Sequence, residues 1–440
     1  MSANSVPPHA LLPEHSVDVA IVGGGLVGAT LALALRATPL RVLLVEGFAP
    51  DSAAQPSFDD RSTALGNGTR SIFQTLGVWR HLQSEAAAIR AIHVSDAGRF
   101  GFARLTAAEQ GLEAFGYVVP NRVLGLRLWR ELDAGADSGV DAGADANPPL
   151  QLRVPARCEA VTLQDEAAWI DTRSAVHGAE RWRARLVVAA DGAQSLVRAA
   201  AGIDAQVEDY DQVAIVVNVA ASKPHDGTAY ERFTPSGPLA VLPLTDGSYT
   251  CVWTLRPDAA TEVMQLDDAD FLARLQQCFG WRVGRLRRVG CRNAYPLQLT
   301  RASESVGVRA VLVGNAAQAL HPVAGQGFNL GVRDAAILAE LLANSAVAAA
   351  DPGSNTLLQE FAARRAADRR GVTGFTDNLV KLFGSERLGV PAVRDLGLLL
   401  FDLLPPAKSA LSRISWGFAG SVPRLARGLG LRESAAKAPP

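Results

Sequence analysis

Near the N-terminus, Gly23-Gly24-Gly25-Leu26-Val27-Gly28 places glycines in the pattern G-x-G-x-x-G. That spacing suits contact with phosphate. Gly23 permits a tight turn, Gly25 lets backbone approach a pyrophosphate, and Gly28 lets a helix close on a strand. The amide N–H groups that open the following helix add about half a positive charge there. Glu46 stands eighteen residues beyond Gly28, where a carboxylate can accept hydrogen bonds from ribose hydroxyls. These residues describe a dinucleotide cradle, and by themselves they do not choose between NAD and FAD.

Three further segments carry chemistry. Phe58-Asp59-Asp60-Arg61 precedes a predicted helix; Arg61 could serve a phosphate or pair with the flanking aspartates. Residues 187–198, VVAADGAQSLVR, end a buried strand at Asp191-Gly192, with Ser195 and Arg198 beyond. Residues 311–331, VLVGNAAQALHPVAGQGFNLG, read as a buried strand, a glycine-rich loop and a helix start, again a design for an anionic group. Asn315 sits where that strand ends, a place that asparagine also favours simply as a turn former. His321 is either a loop histidine bonded to backbone or an acid-base group.

The elements that must position these residues follow from hydrophobic periodicity. Val17 to Val22 is a continuous apolar strand, Leu26 to Arg36 an Ala/Leu-rich helix, and Arg41 to Val45 a second strand. This β-α-β opening implies a parallel sheet. Helices are expected at Gly68 to Leu82 and Leu124 to Leu132, with short strands at Ala91 to Ser95 and Gly116 to Val119. Residues 133–149 are acidic and nearly free of large apolar groups, a surface-loop composition. Arg185 to Ala190 is another buried strand. From Tyr210 to Leu299 the texture becomes antiparallel, with VAIVVNVA, LAVLPL, an Asp246-Gly247 turn and SYTCVWTL, and one helix from Asp267 to Phe279. Parallel texture returns at Val311, so segments far apart in the chain must share one sheet.

Composition narrows the function class. In 440 residues, 43 Lys plus Arg nearly cancel 44 Asp plus Glu. A sequence-independent nucleic-acid binder would need a basic stripe, so no nucleic-acid partner is expected. Cys158, Cys251, Cys278 and Cys291 show no metal-like spacing, so no metal is expected and the thiols read as buried groups in a reducing compartment. The first sixteen residues read as a disordered tail without the basic and apolar regions of a secretory signal. No apolar run reaches the roughly 18 residues of a spanning helix. The nearest, LGLLLFDLL at 396–404, is broken by Asp402 and stopped by Pro405-Pro406.

Taken in order, G-x-G-x-x-G, acid, D-x-R, D-G-x-x-S-x-x-R, then G-N-A-A with P-x-x-G-x-G-x-N, the chain resembles the FAD-dependent aromatic hydroxylases that include para-hydroxybenzoate hydroxylase. FDDRSTALGNGT, HVSDAGRFGF, AYERFTPSGPLAVLPL and VGNAAQALHPVAGQGFNLGVRD are similar to the ubiquinone-biosynthesis hydroxylases, closest to their 2-polyprenyl-6-methoxyphenol branch. Most relatives have aspartate and histidine where this chain has Asn315 and Gln318; that branch resembles the present chain. The likeness runs from Val17 to Trp416.

The resemblance implies an α/β fold: a Rossmann-like FAD-binding domain with an antiparallel β-rich substrate domain inserted and a helical C-terminal region. The implied boundaries are a tail over 1–16, FAD domain over 17–209 and 301–345, substrate domain over 210–300, helical region over 346–432 and a tail over 433–440. It implies that Gly23, Gly25, Gly28 and Glu46 hold the ADP half of FAD, with Arg61 on the flavin side and Asp191 and Gly192 near the pyrophosphate. Gly314 and Asn315 would meet the ribityl chain, and Pro322, Gly325, Gly327, Phe328 and Asn329 the flavin. His321 and Pro322 are the residues implied at the catalytic face. Phe233, Leu242, Pro243 and Trp253 would wall the substrate pocket, or else be plain sheet core.

The implied reaction uses NADH or NADPH and O₂, through a C4a-hydroperoxyflavin, to convert 2-polyprenyl-6-methoxyphenol to 2-polyprenyl-6-methoxy-1,4-benzoquinol. A polyprenylated phenol implies a cytoplasmic enzyme that meets the inner face of a membrane or a ubiquinone-biosynthesis complex. Gly389 to Leu431, with Trp416 and Phe418, fits an interfacial helix or one packed on the FAD domain. Alternatives are a sister hydroxylase acting at another ring position, a non-catalytic FAD-binding subunit, and a flavin-dependent reductase of prenyl lipids.

Overall fold

A strand buried on both faces reads as an unbroken apolar run, and this chain returns three such runs to one sheet. In the computed structural model, which describes residues 12–52, 54–59, 61–99, 101–136, 149–320, 325–384 and 421–431, they are β1 (Glu14–Val22), the end of β11 (Gly178–Ala189) and β18 (Ala310–Leu312). β1 lies parallel between β11 and β2 (Val42–Val45); β2 continues to β8 (Leu150–Arg153) and β11 to β18. β9 (Arg157–Leu163), β10 (Ala168–Ser174) and β17 (Val306–Gly307) complete this sheet with antiparallel pairings.

β1 starts three residues before the expected strand. Glu14, His15 and Ser16, read as tail, pair with Arg181, Trp182 and Arg183. β11 likewise begins before the expected Arg185. Its first half alternates exposed and buried residues as it pairs with β10; only its second half is the continuous run that marks a central strand.

Helix α1 (Leu26–Leu35) is buried along almost its whole length because α3 (Asn121–Ala136) and α7 (Gln326–Val347) pack against it. Helix α2 (Asn67–Thr75) ends seven residues short of expectation, since Gly77 adopts φ +81, the left-handed conformation that closes a helix. Helix α4 (Leu196–Ala200) follows β11, and α8 (Asn355–Gly384) packs on α7. A buried ion network joins them: Arg333 to Asp368 at 2.9 Å, Arg365 to Asp334 at 2.7 Å, and Arg369 to Asp334 at 3.1 Å.

The second sheet runs β19 (Gln318–Ala319), β16 (Leu286–Ala302), β12 (Ala205–Ala221), β15 (Tyr249–Leu255), β14 (Gly237–Pro243), β13 (Thr228–Thr234), β5 (Ala91–Asp96) and β6 (Phe102–Thr106). The segment expected at 210–300 therefore does not build the layer alone; β5 and β6 extend it through a parallel pairing of β5 with β13. Local periodicity cannot announce a partner more than a hundred residues away. Helices α5 (Pro257–Gln265) and α6 (Asp268–Phe279) cover one face, where Trp253 meets Phe271. A small antiparallel sheet, β3 (Ser62–Gly66), β7 (Gly116–Pro120) and β4 (Ala87–Ile89), bridges the two layers.

The low-complexity stretch at 137–148 and the apolar segment within 385–420, with Trp416 and Phe418, lie outside the described residues. The last described segment packs inward: Leu425 and Ala426 are buried, Thr75 Oγ1 donates to Leu425 O at 2.9 Å, and Arg424 N donates to Glu340 Oε2 at 2.7 Å. Among the described residues no helix is long and apolar enough to cross a membrane. All four cysteines are free, and they are not uniformly buried as expected: Cys251 is buried, Cys158 and Cys278 are partly so, and Cys291 is exposed. Cys291 faces out because it lies on the solvent side of the long β16 strand.

Candidate active site

A continuous cavity of about 1630 Å³ runs from the N-terminus of α1 to the open face of the second sheet. Its first end is built by the glycine loop. Gly23 has φ +101, and a Cβ there would stand 2.4 Å from Ala190 O. At Gly28 a Cβ would meet Gly23 O at 1.9 Å. Gly23 and Gly25 line the cavity while Gly28 does not; its task is the close approach of helix to strand, as the spacing implied. Gly25 is the N-cap of α1 and brings no side-chain cap.

Glu46 ends β2 beside that loop. Its Oε2 accepts from Gly24 N at 2.6 Å, and its Oε1 accepts from Phe48 N at 2.9 Å and Gln55 Nε2 at 3.2 Å. A carboxylate offers about four acceptor positions, so one remains for a ligand hydroxyl. Trp129 Nε1 donates to Gly24 O at 3.0 Å and fixes the loop from the α3 side. The roles of Gln55 and Trp129 were not visible in the sequence, since neither lies within a motif.

The D-G-x-x-S-x-x-R segment is mainly a latch. Asp191 Oδ2 accepts from Leu196 N at 2.8 Å and Val197 N at 3.3 Å, and Ser195 Oγ accepts from Arg198 N at 3.0 Å. The Arg198 guanidinium donates to Ala193 O at 2.7 Å and Ala316 O at 2.9 Å, tying this loop to the second glycine-rich stretch. Asp191 and Gly192 line the cavity, and Asp191 Oδ1 is buried with no hydrogen-bond partner among the described residues.

In the second glycine-rich stretch, β18 leads to a 3-10 turn over Gly314–Ala316. Gly314, at φ +58, packs over Val27, and exposed Asn315 faces the cavity. Gly325, at φ +59, is the N-cap of α7; with Gly327, Phe328 and Asn329 it lines the same space. The Asn329 side chain, however, is fully engaged by protein. Its Nδ2 donates to Ala64 O at 2.8 Å and Gly325 O at 2.9 Å, while its Oδ1 accepts from Gly66 N at 2.8 Å and Thr69 Oγ1 at 2.7 Å. Asn329 pins the start of α7 to the junction of β3 and α2. His321 and Pro322 lie outside the described residues.

Arg61 lines the cavity, with Nε 2.6 Å from the Asp59 carboxylate and its guanidinium over the Tyr295 ring at 4.7 Å. Tyr295 Oη donates to the same carboxylate at 3.2 Å. Of its two sequence-level options, pairing with a flanking aspartate is the one formed here, and it holds Arg61 at the cavity wall.

At the far end, strand alternation decides which of the expected pocket residues face inward. Phe233 and Leu242 line the cavity, with Ala240, Val252 and Val216. Pro243 and Trp253 do not line it. Each is one residue out of phase with Leu242 and Val252, so it points to the face that α5 and α6 cover; Trp253 is core there. Between Ala229 and Phe233 the same alternation points Glu231 into the cavity. Burial pushes its carboxyl up to about 7. Sequence reading passed over Glu231, although its place in phase with two inward apolar residues was a usable signal. Cys158, also at the cavity wall, has its thiol pushed up to about 12, first by burial and then by the Asp191 charge.

A family model described as FAD binding domain matches residues 16–376. Ubiquinone hydroxylase UbiL of Rhodospirillum rubrum is 37% identical over 436 residues, 97% of each chain. The 3-demethoxyubiquinol 3-hydroxylase of Escherichia coli is 32% identical over 399 residues, covering 88% of this chain and 97% of that protein. Among solved structures, p-nitrophenol 4-monooxygenase PnpA from Pseudomonas putida DLL-E4 superposes with a TM-score of 0.75 at 20% identity, over 92% of this chain and 99% of its own. The last likeness is one of fold.

Proposed function

The chain belongs to the FAD-dependent monooxygenases of the ubiquinone hydroxylase family, and from that premise we propose that it hydroxylates 2-polyprenyl-6-methoxyphenol para to the hydroxyl, giving 2-polyprenyl-6-methoxy-1,4-benzoquinol. The observation that carries this reading is the continuous cavity, polar and glycine-built at one end and walled by an apolar sheet face at the other. Asn315 and Gln318 supply the choice of ring position.

The residues present fit FAD. A glycine cradle with no room for a Cβ at Gly23 or Gly28, an uncapped α1 N-terminus, and the open acceptors of Glu46 and Asp191 together suit its pyrophosphate and hydroxyl groups. In this reading Gly23, Gly25 and Glu46 hold the ADP half, while Asp191, Gly192, Gly314 and Asn315 hold the middle. When bound, FAD supplies the redox chemistry: it takes a hydride from NADH or NADPH and activates O₂, one oxygen atom going to the phenol and the other to water.

The protein's own contribution is placement and charge. The N-terminus of α7, opened by Gly325 and Gly327, directs its dipole toward the flavin end, where negative charge gathers. Asn315, a neutral amide, keeps a hydroxyl contact there without adding a negative charge near the phosphates. Arg61 stands at the wall between the two ends. The sheet face with Val216, Ala240 and Val252 excludes water from the ring and receives the prenyl chain. A polyprenyl substrate requires delivery from a membrane surface on the cytoplasmic side or from a partner of the biosynthetic complex.

Analysis of quinone intermediates in cells lacking the protein tests the assignment. Accumulation of 2-polyprenyl-6-methoxyphenol is the expected result. Accumulation of a different intermediate favours a sister hydroxylase, the reading that likeness to the 3-hydroxylase supports; normal ubiquinone in cells without a redundant hydroxylase overturns both.

A further inference from the structure

The backbone register lays one row of side chains across six strands of the second sheet. It runs Ala103 on β6, Val94 on β5, Glu231 on β13, Ala240 on β14, Val252 on β15 and Val216 on β12. All six line the cavity. Five are small or branched hydrocarbons, and the sixth is a carboxylic acid. Glu231 Oε1 is buried with no hydrogen-bond partner among the described residues. Glu231 as a whole is half-buried, but a carboxyl with one oxygen buried and unpaired costs stability, and valine or leucine would fit this row without that cost. The fold therefore has no use for an acid here.

The neighbouring ionisable groups are otherwise engaged or distant along the cavity. On β5 and β13, His93 and Arg232 are out of phase with Glu231; His93 Nε2 meets Arg282 at 2.9 Å, and Arg232 Nε donates to Cys278 O at 3.0 Å. Arg61 is held by Asp59 and Tyr295. Tyr230 precedes Glu231 and edges against Phe279. Glu46, Asp191 and Cys158 belong to the dinucleotide end.

We propose that Glu231 is the catalytic base that accepts the proton of the substrate's phenolic hydroxyl. This rests on the hydroxylase reading above. The step is a proton transfer: the phenol O–H bond breaks, its electron pair stays on oxygen, and Glu231 becomes a neutral acid hydrogen-bonded to the phenolate. The phenolate is the more electron-rich ring and the better acceptor of an electrophilic oxygen. The Glu231 carboxyl, pushed up to about 7 by burial, stands closer to a phenol of about 10 than an ordinary carboxylate does. The apolar row on either side gives the ring and its alkyl substituents a surface to lie on.

Holoenzyme carrying Glu231→Gln is compared with wild type on 2-prenylphenol, 2-prenyl-6-methoxyphenol and 2-prenyl-6-methoxyhydroquinone. Turnover by wild type of one of the others in place of 2-prenyl-6-methoxyphenol removes the ring-position reading, and Glu231 is then judged on the phenol that is used. The expected loss in kcat/KM at neutral pH is on the order of 10²- to 10³-fold, with bound FAD unchanged. The variant's rate should climb as pH approaches the phenol's own pKa, whereas wild type levels off earlier. Without reductant, wild type should bind the phenol with a phenolate absorbance band that the Gln variant lacks, and Glu231→Asp should restore part of it. Wild-type kcat/KM and pH profile in Glu231→Gln overturn the proposal; so does a variant that loses FAD or fails to fold, because the role would then be structural.

Discussion

Asn329→Ala is the sharpest test of how the second glycine-rich stretch works. The side chain is 3% exposed and makes hydrogen bonds to Ala64 O, Gly325 O, Gly66 N and Thr69 Oγ1. Truncation strands the Gly66 amide and the buried Thr69 hydroxyl, and leaves two carbonyls short of a donor. Each stranded group costs about 1–3 kcal/mol, but carbonyls tolerate one lost donor and water from the adjoining cavity relieves part of the rest. The expected loss is therefore about 3–4 kcal/mol by the same principle. Asn329→Asp makes a finer test. Its second oxygen would face the Ala64 and Gly325 carbonyls unless it keeps a proton, so its folded pKa is raised. Destabilisation should then grow as pH rises above the ordinary carboxylate range, and fade in acid. Urea denaturation followed by circular dichroism, with bound flavin per chain as a second readout, measures both. An Asn329→Ala protein within about 1 kcal/mol of wild type and with full flavin content would refute the pinning role.

Gly25→Val should abolish FAD retention, since even a Cβ would sit 2.9 Å from Ser57 Oγ on the cavity wall; flavin absorbance after gel filtration reports it, and a yellow variant would contradict the cradle. Arg365→Met should cost about 3 kcal/mol by taking one of two cationic partners from each of the buried carboxylates, leaving Asp334 with Arg369 and Asp368 with Arg333, read as a lower urea midpoint. Burial works against the Asp368 carboxylate, but Arg333 and Arg365 outweigh it and hold its carboxyl below the usual range. That contribution is thus complete above the ordinary carboxylate range and is lost as pH falls through the depressed value, so acid unfolding of wild type should be steeper than that of Asp368→Asn. Glu231→Leu should stabilise the protein by about 2 kcal/mol at pH 8 while removing turnover. The Glu231 carboxyl is raised from 4.5 to about 7, so the penalty is absent in acid and grows between those values; equal thermal stability of the two proteins at pH 8 would count against a buried, unpaired acid.

Local signals were enough to bring the glycine loop and Glu46 to one end of the cavity because their spacing is local. Glycines at Gly23, Gly25 and Gly28 must follow a strand and open a helix, and Glu46 must end the next strand, so spacing along the chain is spacing in space. The second sheet was legible as antiparallel texture but not in membership: β5 and β6 join it from a hundred residues upstream. Of the four residues expected at a pocket wall, Phe233 and Leu242 line the cavity while Pro243 and Trp253 do not, for a single reason. Alternation says that two faces exist, while only the packing of α5 and α6 says which face is covered.

Sequence by itself determined the parallel frame, the tight glycine loop after its first strand and the return of residues 311–331 to that frame, because backbone sterics and apolar runs act over a few residues. Tertiary structure alone decided that Asn329 spends its hydrogen bonds on β3 and α2, that Arg61 is held by Asp59 and Tyr295, and that Glu231 stands unpartnered in an apolar row. Each depends on groups far apart in the chain brought together by packing, and on desolvation, which no local pattern of residues contains.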